Sequence, residues 1–313
     1  MDRVTSDRAL RRWAWASLLA NMAIIWTGAL VRLTKSGLGC PTWPECQAGS
    51  YVPVPEQGVH GLIEFGNRLL TFVLVGVALG MALAARRAVA DGRQPRRLLA
   101  LAVVVGLGIV AQAVVGGVSV LTQLNPWVVG LHMAASVVLI LVCVELVHLT
   151  HGLPRLEVTA PQRALASAVF WLGMVIVVLG VVVTGAGPNA GDGAATRNGL
   201  SLEWTAKVHA WAVWVVVALT ALGVWRSAGS ARLRRLFVAV LAVEMLQGVI
   251  GYVQYFAHLP VALVFAHMVG TTLFVAAVGH LWLSTRRPRP PAVRGGAQKS
   301  SGSSAAATAT RAR

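Results

Sequence analysis

Eight apolar runs, each long enough to cross a lipid bilayer, limit what this chain of 313 residues can fold into. A hydrocarbon core about 30 Å thick is crossed by about 20 apolar residues in a helix. Only 12% of the residues are charged, against about 25% in soluble domains. The sequence therefore predicts an all-α integral membrane protein with eight transmembrane helices. The runs begin near Trp13, Gly61, Leu98, Trp127, Ala164, Trp204, Leu236 and Val261, and end near Val31, Ala84, Leu121, Val147, Ala186, Val224, Phe256 and Leu283.

Basic residues cluster at one end of the predicted helices. The N-terminus, the loops at 85–97, 150–163 and 226–235 and the C-terminal tail hold 22 of the 27 lysines and arginines. Because cytoplasmic flanks carry the excess of basic residues, both termini are predicted to be cytoplasmic, in a multi-pass protein of the plasma membrane. The net charge of +16 does not indicate binding to nucleic acid, since the arginines lie between apolar runs and form no continuous face.

An internal repeat divides the chain into halves. The segment from Gln112 recurs from Gln247, with a glycine four residues on and His-Met twenty residues on in both. TGALVRL from Thr27 also echoes TGAGPNA from Thr184. The repeat predicts two pseudo-symmetric four-helix bundles, an architecture that builds cofactor sites from inward side chains. The predicted segments are a cytoplasmic N-terminus (1–12), a first bundle (13–149), a cytoplasmic linker (150–163), a second bundle (164–285) and a disordered basic cytoplasmic tail (286–313).

Two cysteines lie close together in the stretch GLGCPTWPECQAG, residues 37–49. The predicted orientation places this stretch outside, where neighbouring cysteines pair rather than bind zinc. A zinc site would also lack ligands, because no second Cys or His pair lies in the loop. The pattern favours a disulfide between Cys40 and Cys46, and a thiol pair that exchanges with a redox partner remains the alternative.

Three of the eight histidines are predicted to lie inside the membrane. His132, His209 and His267 each stand six or seven residues from the outer end of a helix, or about 9–11 Å deep. Ionisable residues at such depth are rare and indicate function. His209 and His267 lie at equal depth on the second and fourth helices of one bundle, which suits two imidazoles that grip a haem iron. A hydrogen-bonded pair or a proton relay is the alternative.

The first bundle is predicted to lack one such ligand. Its fourth helix carries His132, but its second helix, HGLIEFGNRLL, has Asn67 at the comparable depth. His60, Glu64 and Asn67 share one face of that helix, at spacings of four and three. Glu64 also stands four residues before Arg68, so an ion pair is one interpretation of this carboxylate. Acid–base work beside a cofactor is the other.

These residues together resemble the haem A synthase family. The resemblance rests on GALVRLTKSGLGCPTWPEC, on IEFGNRLL, and on the three membrane histidines, and it covers about residues 13–283. It implies an eight-helix, pseudo-twofold membrane enzyme that oxidises the C8 methyl group of haem O to the formyl group of haem A, the cofactor of terminal cytochrome oxidases.

The resemblance also implies roles for single residues. His209 and His267 would be the axial ligands of a haem b, and His132 would be a ligand of the substrate haem. Glu64 would be the glutamate needed for activity. The outer-loop cysteines, Cys40 and Cys46, would form a disulfide. Haem sites would then lie towards the outer side of the membrane.

Two departures from the family pattern affect the substrate site. Asn67 replaces the usual histidine, so the substrate haem would be held by His132 alone or with His60, in a pocket that includes Arg68. The second outer loop, GPNAGDGAATRNG, lacks a cysteine pair that some relatives carry. The expected partners are haem O, haem A, membrane lipid, an unidentified electron acceptor and the farnesyltransferase that makes haem O.

Two other functions fit parts of the pattern. A non-catalytic di-haem cytochrome of the b type would share the histidine ligands, but it would need a second complete pair, which Asn67 interrupts. A haem carrier or chaperone would bind haem reversibly and would not need Glu64.

Overall fold

The computed structural model describes residues 3–287, without the side chains of residues 3–6. Within that range the protein is all-helical, with eight long helices that are apolar enough to cross a membrane, as predicted. The helices are α1 (Arg3–Leu33), α2 (Gly58–Ala90), α3 (Arg96–Leu121), α4 (Pro126–Thr150), α5 (Ala160–Ala186), α6 (Leu202–Arg226), α7 (Ala231–Phe256) and α8 (Val261–Thr285). The predicted tail lies outside the described residues, apart from Arg286 and Arg287.

Several helices are longer than the apolar runs that predicted them. α1 begins ten residues before Trp13, and α2 continues six residues beyond Ala84. The apolar run marks the part of a helix that fits the bilayer, whereas the backbone hydrogen bonds continue into the flanks because arginine and alanine are good helix formers. Most of the predicted N-terminal segment 1–12 is therefore helical.

Short polar caps and prolines fix where the other helices start. Thr159 and Gln162 form a capping box at the start of α5, and Ser201 accepts the Trp204 amide at the start of α6. Pro126 occupies the first position of α4, where its missing N–H costs nothing.

The neighbours of each helix are the same in both halves. α1, α2, α3 and α4 pack in a closed ring, and so do α5, α6, α7 and α8, while α4, α8, α1 and α5 supply the contacts between the rings. Two four-helix bundles side by side would have these neighbours. Their pseudo-symmetry and the cytoplasmic position of the termini remain predictions.

Glycines allow close packing between helices. A Cβ on Gly108 of α3 would run into Leu139 of α4, and one on Gly223 of α6 would run into Phe237 of α7. In lipid, where apolar surface gains little from leaving the solvent, such small residues let helices approach closely enough for dispersion contacts.

Polar contacts join the two halves along α8. Trp26 Nε1 on α1 donates to Thr272 Oγ1 at 2.9 Å. His148 Nε2 on α4 lies 2.5 Å from His280 Nδ1, at the predicted cytoplasmic end. This pair lies across the interface between the two halves.

Candidate functional site

One large cavity opens between the two halves, towards the predicted outer end. Its volume is about 1240 Å³, larger than the ~300–1,000 Å³ of pockets that hold drug-sized ligands. Most of the lining is apolar, and α1, α2 and α4 to α8 all contribute. The polar and charged side chains of the lining include Arg32, Asn67, His132, Lys207, His209, Glu244, Gln247 and His267. The predicted sites of the two bundles are thus parts of one continuous cavity.

His209 and His267 both line this cavity, on α6 and α8. Each ring edge faces a glycine of the preceding helix. A Cβ on Gly180 would lie 3.3 Å from the Cε1 atom of His209, and one on Gly251 would lie 3.4 Å from that of His267. The buried Nδ1 atom of each ring lacks a hydrogen bond of good geometry within the described residues, although the backbone of Ile176 lies beside His209.

His132 has the same surroundings in the first half. A Cβ on Gly116 of α3 would lie 3.3 Å from its Cε1 atom, and its buried Nδ1 atom has no partner in the described part of the chain. Gln112 Nε2 donates to the His132 carbonyl at 2.7 Å and also to Ser136 Oγ. In this half, the repeated glutamine therefore binds the backbone of His132, and the repeated glycine lies beside its ring.

These histidines fit the group that the sequence implies. A buried imidazole nitrogen without a partner is costly, and imidazole is the commonest protein ligand of haem iron. Three such rings line one largely apolar cavity, so they are suited to act as ligands of haem iron. Asn67 lines the same cavity, and its buried Oδ1 atom also lacks a partner within residues 3–287.

Glu64 and Arg68 face away from the cavity lining and hold the α1–α2 loop (residues 34–57). Glu64 is 5% exposed; its Oε2 atom accepts the Cys40 amide at 2.7 Å, and its Oε1 atom lies 2.6 Å from Arg68 Nη2. Arg68 also donates to the carbonyls of Cys40, Thr42 and Glu45, at 3.0–3.3 Å. The ion pair predicted from the spacing is present, and it is part of a wider clamp on the loop.

Cys40 and Cys46 form a disulfide, with an Sγ–Sγ distance of 2.03 Å, and both residues are fully buried. The prediction of a disulfide is confirmed. Between them, Trp43 packs over Gly117 of α3, where a Cβ would overlap its indole ring. The α1–α2 loop is thus packed onto both α2 and α3.

Comparison with known proteins gives the family. A sequence model described as cytochrome oxidase assembly protein (COX15-CtaA) matches residues 11–279. The chain belongs to this family.

This chain also aligns with individual relatives, over a shorter part of its length. It is 34% identical over 133 residues to heme A synthase of Lysinibacillus sphaericus, covering 42% of each chain. It is 30% identical over 126 residues to heme A synthase of Geobacillus kaustophilus, covering 40% of this chain and 38% of the relative. The aligned part therefore spans about two fifths of the relatives' length.

Not all predicted site residues of this family member meet at the cavity. The structure brings Asn67 and His132 together there with His209 and His267, but Glu64, Arg68 and His60 are not among the lining residues. His60 is exposed, and its Nδ1 atom lies 2.9 Å from Ser36 Oγ, beside a smaller surface pocket. His60, Glu64 and Asn67 share one helical face by residue spacing, but they have different surroundings: Asn67 lines the cavity, whereas His60 and Glu64 contact the α1–α2 loop.

Sequence reasoning missed Arg32 as a site residue. Arg32 lines the cavity and donates from Nη2 to the Thr184 carbonyl at 2.7 Å. The signal in the sequence is a basic residue directly after the first apolar run, which ends near Val31.

Proposed function

We propose that this protein is a haem A synthase, an oxidoreductase that converts the C8 methyl group of haem O to a formyl group. The observation that carries the proposal is one largely apolar cavity lined by three imidazoles, whose buried Nδ1 atoms have no hydrogen bond of good geometry in the described part of the chain. Membership of the cytochrome oxidase assembly family and the names of the relatives support the same activity. Haem, when bound, supplies the redox chemistry that no side chain can perform.

The histidines divide between two haem groups in this proposal. His209 and His267 hold a haem b as the resident cofactor, since both belong to the second half and line one cavity. His132 holds the substrate haem in the first half. Asn67 beside it is a weak iron ligand, which suits a substrate that has to leave as product.

Glu64 is proposed as the carboxylate required for turnover. It is buried and bound to the loop that covers the outer end of α2, so it is placed to keep that loop closed over the first half. The disulfide ties the same loop together.

The setting of the reaction is also part of the proposal. The cavity lies towards the outer face of the plasma membrane if the termini are cytoplasmic. Haem O arrives from its farnesyltransferase through the lipid, and an electron acceptor, still unidentified, takes the electrons.

Haem extraction and chromatography test the activity. Membranes from a host that makes haem O and expresses this chain should contain haem A, and membranes with Glu64→Gln should contain haem O without haem A. Bound haem with no haem A from the folded wild type, even with added electron acceptors, would favour a haem carrier or a b-type cytochrome instead.

Absorption spectra of the purified protein test the ligands. His209→Ala and His267→Ala should each lose the low-spin spectrum of a bis-histidine haem, whereas His132→Ala should keep it. His258→Ala, in the exposed α7–α8 loop, is the matched control and should match the wild type. A low-spin spectrum that survives both His209→Ala and His267→Ala would contradict the assignment.

A further inference from the structure

Two cationic side chains line the cavity, and they differ in their partners. Lys207 Nζ lies 2.5 Å from the carboxylate of Glu203. Arg32 has no carboxylate partner among the described residues; its one hydrogen bond is from Nη2 to the Thr184 carbonyl. Its Nε atom is buried and makes no hydrogen bond in the described part of the chain. Arg32 thus has donors to spare inside an apolar cavity.

The surroundings of Arg32 add positive charge rather than negative. Arg197, in the α5–α6 loop, is close enough for the two guanidinium groups to repel each other, and among the described residues it donates only to backbone carbonyls. The carboxylate that lines the cavity, Glu244, accepts from Thr220 Oγ1 at 2.9 Å and forms no ion pair within residues 3–287. In the part of the chain that the structure describes, no carboxylate therefore offsets the charge of Arg32.

A guanidinium held in this way is matched to an anion from outside the chain. Burial of an unpaired charge is strongly unfavourable, and a carboxylate accepts two parallel N–H bonds from the fork of an arginine. The Thr184 carbonyl uses one of the five N–H donors of arginine, and Arg32 makes no other hydrogen bond within residues 3–287, so donors remain for such a fork.

We propose that Arg32 is the anion-binding residue of the cavity and takes a carboxylate group of the bound tetrapyrrole. The inference rests on the proposed function, because haem supplies the carboxylates as its two propionate groups. Arg32 lies at the predicted outer end of the cavity, so it orients the macrocycle with a propionate edge outwards, above the layer of histidines.

Binding of haem and of its dimethyl ester, in which both carboxylates are blocked, tests the proposal. The purified full chain in nanodiscs of zwitterionic lipid is titrated with each compound by absorbance. The wild type should prefer the free acid by about 10- to 100-fold, the usual effect of a hydrogen bond between charged groups. Arg32→Gln should bind both compounds equally, and Arg32→Lys should show an intermediate preference.

Arg226→Gln is the matched control. Arg226 is exposed at the C-terminal end of α6, so this variant should keep the wild-type preference. Circular dichroism and size-exclusion chromatography check that each variant is folded, and Arg32→Lys carries the test if Arg32→Gln does not fold.

Other outcomes overturn the proposal in distinguishable ways. A wild-type preference that persists in Arg32→Gln removes Arg32 from the site while leaving haem binding intact. The anion would be a lipid headgroup if two results occur together. The wild type would bind both compounds equally, and phosphatidylglycerol would change the thermal stability only when Arg32 is present. No haem binding by the folded wild type refutes the proposed function itself, and the inference with it.

Discussion

Replacement of Glu64 by alanine should release the α1–α2 loop from α2. The Glu64 carboxylate is the shared acceptor of the Cys40 amide and Arg68 Nη2, at 2.7 and 2.6 Å. Without it, a buried amide loses its acceptor and Arg68 loses its ion pair. The disulfide keeps the loop's own shape, so the loop should detach as a unit rather than unravel.

The size of the effect follows from the two contacts. A buried amide left without an acceptor costs about 1–3 kcal/mol. Arg68 is 21% exposed and keeps its hydrogen bonds to three backbone carbonyls. The loss of its ion pair should therefore cost close to the ~1 kcal/mol of a surface pair. The free energy of loop opening should fall by about 2–4 kcal/mol, and since ~1.4 kcal/mol is tenfold, opening should become about 30- to several-hundred-fold more frequent.

Hydrogen–deuterium exchange of the amides of residues 37–46 measures this opening. In Glu64→Ala these amides should exchange faster by that factor, while the helices keep their protection. Glu64→Gln retains an oxygen for the Cys40 amide and loses only the charge, so its exchange should rise about fivefold, equivalent to ~1 kcal/mol.

Glu45→Ala is the control within the same loop. The Glu45 carboxylate accepts the exposed Gly49 amide at 2.9 Å, and its loss should leave the Cys40 amide protected. Wild-type exchange at residues 37–46 in a folded Glu64→Ala protein would refute the argument that this carboxylate clamps the loop.

Three further predictions concern an ion pair, a close contact and a disulfide. Arg97→Gln should lower the free energy of unfolding by about 1–2 kcal/mol in thermal denaturation. Its partner on α4, Glu145, is 15% exposed, so the energy of the pair should lie between those of buried and surface ion pairs. Arg96 is exposed, so Arg96→Gln should have no such effect, and equal effects of the two variants would contradict the pairing. Gly117→Val should destabilise the protein by about 1–3 kcal/mol, because the new side chain would overlap Trp43 of the loop. Gly76→Val should change stability much less, because a Cβ at Gly76 would have nothing within 4 Å. Alkylation of the denatured, unreduced chain should modify one thiol, that of Cys143, and three after reduction; mass spectrometry counts them, and three before reduction would exclude the disulfide.

The sequence by itself determined the composition-dependent and local features. The eight helices follow from the length of the apolar runs, because the bilayer fixes how many residues cross it. The Glu64–Arg68 pair follows from a spacing of four, which places two side chains on adjacent turns. The disulfide pairing follows from two cysteines in one short loop on a predicted oxidising side.

Tertiary structure alone decided which way each side chain points. Residue spacing gives depth along a helix, but the rotation of a helix about its axis is set by its neighbours, and a span that is apolar on all sides carries little record of that rotation. Thus Asn67 faces the cavity, while Glu64, one turn away, faces the loop. His60 forms a hydrogen bond with Ser36, and Arg32 lines the cavity. The packing of α1 and α4 against α5 and α8 also joins two expected sites into one cavity, because a space between helices belongs to no single segment of the chain.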